Sequence, residues 1–319
     1  LGVLMAAGGP LDQYYLKRPE ALLSSPTERA VVNPRNRFVL AAHLLCAAHE
    51  VPLREQDLPL FGSTAEALAD VLAEAGYLSA KPERKEWYWT GLESPAAEVN
   101  LRSASGQAFE IHDEKDQLMG TVDAAMAPLF LHEGAVYLHQ GVSHVVLRLD
   151  FERRTAYVRQ DDVSFFTRAM TRTETEILAE EASWEIGLTR LAFGELVVRG
   201  QVVGYSKLRA ADHSVLETLP LELPPSEYET FGLWFSVSKP HLATLAERGC
   251  DLLGALHALE HALIALSPAF VSCEPFDLEG ASSLAHPQLA GEAGLFVYDA
   301  YPGGSGLAEI GRASCRERV

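Results

Sequence analysis

Between about residue 97 and residue 235 the hydrophobic pattern has a period of two, while on both sides of that stretch it has the period of a helix. This double switch constrains the fold more than any other feature. A period of two sends alternate side chains to opposite faces of a sheet, and a period of 3.6 lines one side of a cylinder. The strand texture is carried by the segments QAFEIH, GAVYLHQG, SHVVLRLD, TAYVRQ, ELVVRGQVVGYSKL and YETFGLWFSV. Turns separate them at intervals of roughly 8–12 residues, the spacing of a barrel or sandwich-like region.

The flanks read as helices with identifiable stops. Residues 1–8 are expected to form a short buried strand entering a Gly-Gly-Pro turn, and residues 11–24 a loop and short helix. Asn33-Pro34 punctuates the chain, and residues 36–49 carry apolar positions at helical spacing with Pro52 beyond them. Ser63-Thr64-Ala65-Glu66 has the form of a capping box, and Gly76 is placed to end the helix that follows. A charged turn leads into the aromatic run Trp87-Tyr88-Trp89. Helix, helix and hairpin in that order predict a winged-helix module. After Lys239 the helical period returns: residues 250–266 form a long, mostly apolar helix stopped by Pro268, expected to lie in a core with its histidines hydrogen-bonded inside. Leu295–Tyr298 is a buried strand, Pro302-Gly303-Gly304 a tight turn, and a helix begins near Ser305.

The predicted fold class is therefore α+β: a winged-helix-like module, a β-rich barrel-like middle and a helix–strand–helix C-terminal unit. The formal charge of −18 argues against non-specific nucleic-acid binding, although a local basic groove remains compatible with it. Cys46, Cys250, Cys273 and Cys315 are scattered without a C-x-x-C pair, which fits a reducing compartment and gives no complete metal site. No apolar run of membrane-spanning length and no basic-then-apolar leader are expected.

The two ends have their own character. The chain opens on Leu1, without an initiator Met, and closes on EIGRASCRERV, a string that DNA resembling a common sequencing adapter would encode. Residues 309–319 are therefore read as an adapter-derived tail and the chain as a gene fragment. Leaving out 311–319 removes three Arg and one Glu and takes the charge to −20.

Two motifs carry competing chemistry. His257-Ala258-Leu259-Glu260-His261 matches the inverted zinc-peptidase pattern, in which histidines four apart share a helix face and the Glu acts as general base. Such a site needs a third protein ligand, and Glu279 and Glu292 sit in Gly-rich, loop-like surroundings. A core helix is the expected role. The segment Tyr298–Gly306 is Gly-rich between a strand and a helix, but it lacks the lysine of a P-loop and the full G-x-G-x-x-G spacing. A structural turn is expected, with a nucleic-acid-facing loop as the alternative.

Taken together, the His257–Ala262 helix, Cys273 with Phe276-Asp277-Leu278-Glu279-Gly280, and the Tyr298–Gly304 turn resemble the zinc-binding domain at the C-terminus of MrfA-type DEAD/DEAH-box helicases, relatives of the Hrq1-like RecQ-related group. Pro10–Tyr15, Asn33-Pro34 and His43–Ala48 resemble the stretch that follows the second motor domain, and Gly134–Gly141 the family's middle β region. The resemblance covers nearly all of residues 1–308. It implies 1–32 as the tail of the second RecA-like domain with a connector, 33–96 as the winged-helix-like module, 97–238 as the β-rich region and 239–308 as a truncated zinc-binding domain.

The resemblance further implies a parent enzyme that uses ATP and Mg²⁺, holds zinc through four cysteines, unwinds DNA with 3′-to-5′ polarity and acts in repair in the cytoplasm. The chain has no Walker A lysine motif, DEAD/DEAH-type box or arginine-finger motif, and the four cysteines are expected beyond the Gly-Gly turn. No cofactor, metal or catalytic residue is therefore expected in the chain itself, and no ATPase activity. The family-motif residues His257, Glu260, His261, Asp277, Asp299, Tyr301, Gly303 and Gly304 are read as structural. Arg148, Arg153, Arg154 and Arg159 could touch phosphates or form a solvated strand face, and Trp87 and Trp89 could stack on bases or pack within the wing. The expected partner is single-stranded or partly duplex DNA, without a membrane. A zinc peptidase and a purely structural interaction module are the alternatives.

Overall fold

The computed structural model describes residues 3, 5–6, 8, 10–24, 31–101, 107–187, 189–271, 273–274 and 276–309. They form two compact units interleaved in sequence. One comprises 1–104, 175–197 and 229–319, and the other 105–174 and 198–228. The β-rich stretch 97–238 is thus divided between them.

The first unit opens with helices α1 (Pro10–Lys17) and α2 (Pro19–Ser24). The buried strand expected over residues 1–8 is not seen among the described residues: Val3 and Met5 are 80% and 91% exposed. An apolar run of that length does not by itself distinguish a strand from unpaired chain. Then follow α3 (Arg37–Glu50), β1 (Leu53–Arg54), α4 (Ala65–Glu74), β2 (Leu78–Lys81) and β3 (Glu86–Trp89), the last three strands forming a small sheet in the order β1-β3-β2. Leu40, Leu44 and Ala48, each four residues apart on α3, pack against Ala65, Ala69 and Leu72 of α4 and against Leu53, Leu78 and Trp87. This is the helix–helix–hairpin module that the periodicity predicts. One detail differs: Thr64, not Ser63, precedes α4, and no side chain caps the helix there, so the capping box does not form. The other end behaves as expected, with Gly76 at φ +84° and the Tyr77 N–H donating to Leu72 O.

The second unit contains β4 (Ala108–His112), β5 (Leu118–Asp123), the short helix α5 (Ala127–Phe130), β6 (Val136–His139), β7 (Val142–Asp150) and β8 (Thr155–Gln160). The five strands form one barrel-like sheet in the order β5-β4-β8-β7-β6, with β4 and β8 parallel. Phe109, Ile111, Val146, Ala156 and Val158 alternate inward over Ala127 and Leu131. A register shift between Val146 and Arg148 interrupts β7, and Leu147 stands out at that bulge.

Four further strands follow: β9 (Phe165–Ile186), β10 (Thr189–Arg209), β11 (Val215–Pro220) and β12 (Ser226–Val237). Strands β9, β10 and β12 each contribute residues to both units. Helices α6 (Lys239–Glu247) and α7 (Leu252–Leu266) and strands β13 (Leu278–Ser283) and β14 (Ala293–Asp299) complete the first unit. Strand β14 lies between β12 and β13, and all seven of its residues are buried. That is why Ala293–Tyr298 reads as a continuous apolar run rather than an alternating one. Leu295 and Val297 pack with Leu263, Ile264 and Val271, while Phe296 stacks on Trp234 with ring centroids 6.3 Å apart. The α+β class stands, with the two helical flanks and the β-rich middle in the expected order.

Candidate functional site

The turn that ends β14 is a buried polar knot. Gly303, Gly304 and Gly306 hold φ values of +75°, +72° and +91°, a backbone region that side chains other than glycine's occupy only with strain. Space is closed as well: a Cβ on Gly303 would stand 2.7 Å from Asn36 Oδ1, and one on Gly304 3.0 Å from Asp299 Oδ2. Asp299 is fully buried and accepts from the N–H groups of Gly306 at 2.8 Å and Ala308 at 2.9 Å. Burial pushes its carboxyl up to about 6, against those two donors, which pull it down. Thr230 Oγ1 donates to Asp299 O, and Asp277, also buried, accepts from the Glu274 N–H at 2.7 Å and receives the Ala300 N–H on its carbonyl. Tyr301 lies half-buried beside them.

This arrangement decides between a turn and a phosphate cradle. A cradle needs several free N–H groups aimed at one point. Here the N–H of Gly303 goes to Glu229 O, that of Gly304 to Tyr301 O, and those of Gly306 and Ala308 to Asp299. The turn's carbonyls are also taken. Asn36 donates from Nδ2 to Pro302 O at 3.0 Å and to Gly304 O at 2.8 Å, and Asn33 Nδ2 reaches Gly303 O and Gly304 O. The glycines serve packing against the start of α3. Asn33 and Asn36 are the contributors that the sequence left unassigned; the visible signal was an Asn directly before a helical run.

Helix α7 departs from expectation. It is not a core helix with inward histidines. Its buried residues are Leu256 and Glu260, whereas His257 and His261 are exposed and Leu253, Leu259 and Leu266 remain about half open. An all-round apolar sequence does not say which stripe turns inward. The window Leu252–Ala269 also meets the length and composition of a membrane span, contrary to the expectation that no such run exists, although the same helix packs on β13 and β14. The Nε2 atoms of His257 and His261 are 3.1 Å apart, and Glu260 Oε2 is 3.4 Å from His257 Nδ1. The zinc-peptidase alternative is not favoured. Among the described residues no third ligand joins the two histidines and Glu260. Glu260 Oε2 lies at the Nδ1 side of the His257 ring, whereas the two histidines meet through Nε2.

The remaining candidates lie apart from this cluster. Trp87 is 4% exposed and donates to Asp70 Oδ1 at 3.0 Å, and Trp89 packs partly into the same core with its ring edge-on to His49. Trp87, buried in that core, offers no free face to a base. Helix α4 bears Glu66, Asp70 and Glu74 and no basic residue, so it does not suit phosphates, whereas the β2–β3 wing carries Lys81, Arg84 and Lys85. Lys81 lies over the Tyr88 ring and Lys85 pairs with Glu55. In the second unit Arg148 lies over Tyr157 at 4.7 Å and near Asp150, and Arg159 lies 3.9 Å from Asp161. Arg153 and Arg154 are exposed in the β7–β8 turn, where Arg154 takes φ +51°. Residues 310–319, with Cys315, lie outside the described residues; Glu309, just before them, pairs with Arg35 at 3.1 Å.

Two family models match the chain. The winged helix domain of ATP-dependent helicase HRQ1 matches residues 32–104, and the MrfA Zn-binding domain matches residues 259–317. Among curated proteins, one named uncharacterized ATP-dependent helicase YprA, of Bacillus subtilis, is 31% identical over 316 residues, 96% of this chain and 41% of that protein. ATP-dependent helicase hrq1 of Schizosaccharomyces pombe is 27% identical over 85% of this chain and 26% of its own length. A crystal structure of the DUF1998 helicase MrfA superposes with TM-score 0.64 at 28% identity, covering 98% of this chain and 43% of that one; MrfA bound to DNA gives 0.56. The chain thus spans about two fifths of the length of YprA and of MrfA and matches the C-terminal accessory region of MrfA/Hrq1-like helicases.

The matched domain implies zinc. The described residues do not fit a thiolate site: no disulfide joins Cys46, Cys250 and Cys273, and among the described residues none of them belongs to a cluster of potential ligands.

Proposed function

We propose that this chain is the accessory C-terminal part of an ATP-dependent superfamily 2 DNA helicase that moves 3′ to 5′ in DNA repair. It guides DNA while motor lobes on the rest of the polypeptide hydrolyse ATP. The carrying observation is the 31% identity over 316 residues to a protein named as an ATP-dependent helicase, in the order winged helix, β-rich middle, zinc-binding domain. Two of the similar solved structures are described as bound to DNA, one of them also to AMPPNP. ATP with Mg²⁺ and a four-cysteine zinc belong in this reading to the whole enzyme, which works in the cytoplasm. The accessory part binds single-stranded or partly duplex DNA and turns over no ATP.

The test is DNA binding by the purified chain, followed by fluorescence anisotropy on single-stranded and 3′-tailed duplex oligonucleotides across a salt series. Electrostatic guiding predicts binding to both that weakens steeply as salt rises. No binding at low salt, or ATP turnover by the purified chain, overturns the proposal.

A further inference from the structure

Helix α7 places two imidazoles where one cation would fit between them. His257 and His261 stand one turn apart on the exposed side, with ring centroids 4.4 Å apart and Nε2 atoms 3.1 Å apart. A metal about 2.05 Å from each nitrogen would see them at an angle of roughly 100°, between the octahedral and tetrahedral values. Glu260 stands behind the pair. Its Oε2 lies 3.4 Å from His257 Nδ1, the nitrogen across the ring from Nε2. An Nδ1–H donating to that carboxylate turns the Nε2 lone pair outward and makes it a better ligand. Glu260 is 6% exposed and is seated against Gly280, where a Cβ would come within 2.5 Å of Glu260 Cγ. The orienting carboxylate is therefore fixed inside while the imidazoles face solvent. The ligand atoms of the three residues lie within 4.8 Å of one another, and no other group of His, Cys, Asp or Glu among the described residues meets that condition.

We propose that His257 and His261 chelate a divalent transition-metal ion of the imidazole-preferring class, Zn²⁺, Ni²⁺ or Cu²⁺, with Glu260 as the positioning residue for His257. Two imidazoles leave the other coordination positions to water, so the site is open rather than a closed structural one. It contains no cysteine and is distinct from a four-thiolate zinc. Without metal the two Nε2 atoms share one proton in a hydrogen bond; metal binding displaces that proton and joins the rings through the ion.

The test titrates the full chain with Ni²⁺ by calorimetry and records the electron paramagnetic resonance spectrum of its Cu²⁺ complex. One equivalent of Ni²⁺ and a Cu²⁺ spectrum split by two imidazole nitrogens are expected. The variants His257→Gln and His261→Gln should each bind as weakly as the double variant, with an unchanged far-UV spectrum because both side chains are exposed. Glu260→Gln should weaken Ni²⁺ about 10–100-fold. Ni²⁺ affinity in the double variant equal to that of the unaltered chain overturns the site. Unchanged affinity in a folded Glu260→Gln overturns the role given to Glu260.

Discussion

Asn36 donates from Nδ2 to the carbonyl oxygen of Gly304 at 2.8 Å, while its Oδ1 accepts from the N–H groups of Phe38 and Val39 at the start of α3. One side chain thus caps the first helix of the winged-helix module and fastens that helix to the turn after β14. The residue is buried, so water does not replace its bonds.

Replacing it separates the two roles. Asn36→Ala loses the cap, at about 0.5–2 kcal/mol, and takes its side-chain donor from the Pro302 carbonyl, at about 1–3 kcal/mol more, while Gly304 O keeps Asn33 Nδ2. Asn36→Ser keeps a capping oxygen and loses the clasp. Urea denaturation should rank the unaltered chain above Ser and Ser above Ala. Equal losses for the two variants would show that the clasp adds nothing.

The glycines of the turn give a second measurement. Gly303→Ala meets both a positive φ and a Cβ position 2.7 Å from Asn36 Oδ1, whereas Gly76, at φ +84° in the C-terminal cap of α4, has nothing within 4 Å of its Cβ position. Gly76→Ala should therefore cost backbone strain alone, on the order of 1 kcal/mol. Gly303→Ala should cost at least about twice as much, because Asn36 must move. Thermal denaturation of the two variants tests the difference, and equal shifts would remove the steric argument.

Sequence reading located α3 to within a residue or two, and it found the wing and β14, because each carries a clean local period and a recognisable stop. Three features were hidden for physical reasons. Strand β9 alternates mostly among polar and half-exposed residues, TRTETEILAEEAS, so no apolar period marks its 22 residues. Helix α7 is so uniformly apolar that nothing in it points to Glu260 as the residue that turns inward. The clasp of Asn36 spans 268 positions of sequence, and only folding brings its partner into reach. The family motif was legible as a pattern, whereas the use of its glycines and of Asp299 needed coordinates.

Asp299 predicts a pH dependence of definite sign. Its carboxyl is raised from 3.8 to about 6 in the folded chain, so between those values the folded state binds more protons than the unfolded one. The contribution is fully present below about pH 4 and is lost as pH rises through 6, a change of about 3 kcal/mol at most. Asp299→Asn does not ionise and should flatten the stability profile between pH 4 and pH 7, whatever its effect on absolute stability. Denaturant midpoints measured across that range test this. A profile for Asp299→Asn parallel to that of the unaltered chain would assign the dependence to other groups.

Arg153 and Arg154 test where the second unit would meet DNA. A chain of formal charge −18 repels phosphates at long range, so contact has to come from cations that stand clear of carboxylates. Arg148 lies against Tyr157 and Asp150, and Arg159 lies near Asp161, whereas Arg153 and Arg154 project from an exposed turn. Each phosphate contact on a single strand contributes about 0.7 to the slope of log affinity against log salt. Replacing both arginines with Ser should therefore lower that slope by about 1.4 and weaken binding to every sequence alike, since phosphate contacts carry no base information. Arg148→Ser should change the slope less, because that guanidinium is already committed to its neighbours. If the double variant keeps the slope of the unaltered chain, the β7–β8 turn does not touch DNA, and the basic β2–β3 wing with Lys81, Arg84 and Lys85 becomes the surface to substitute next.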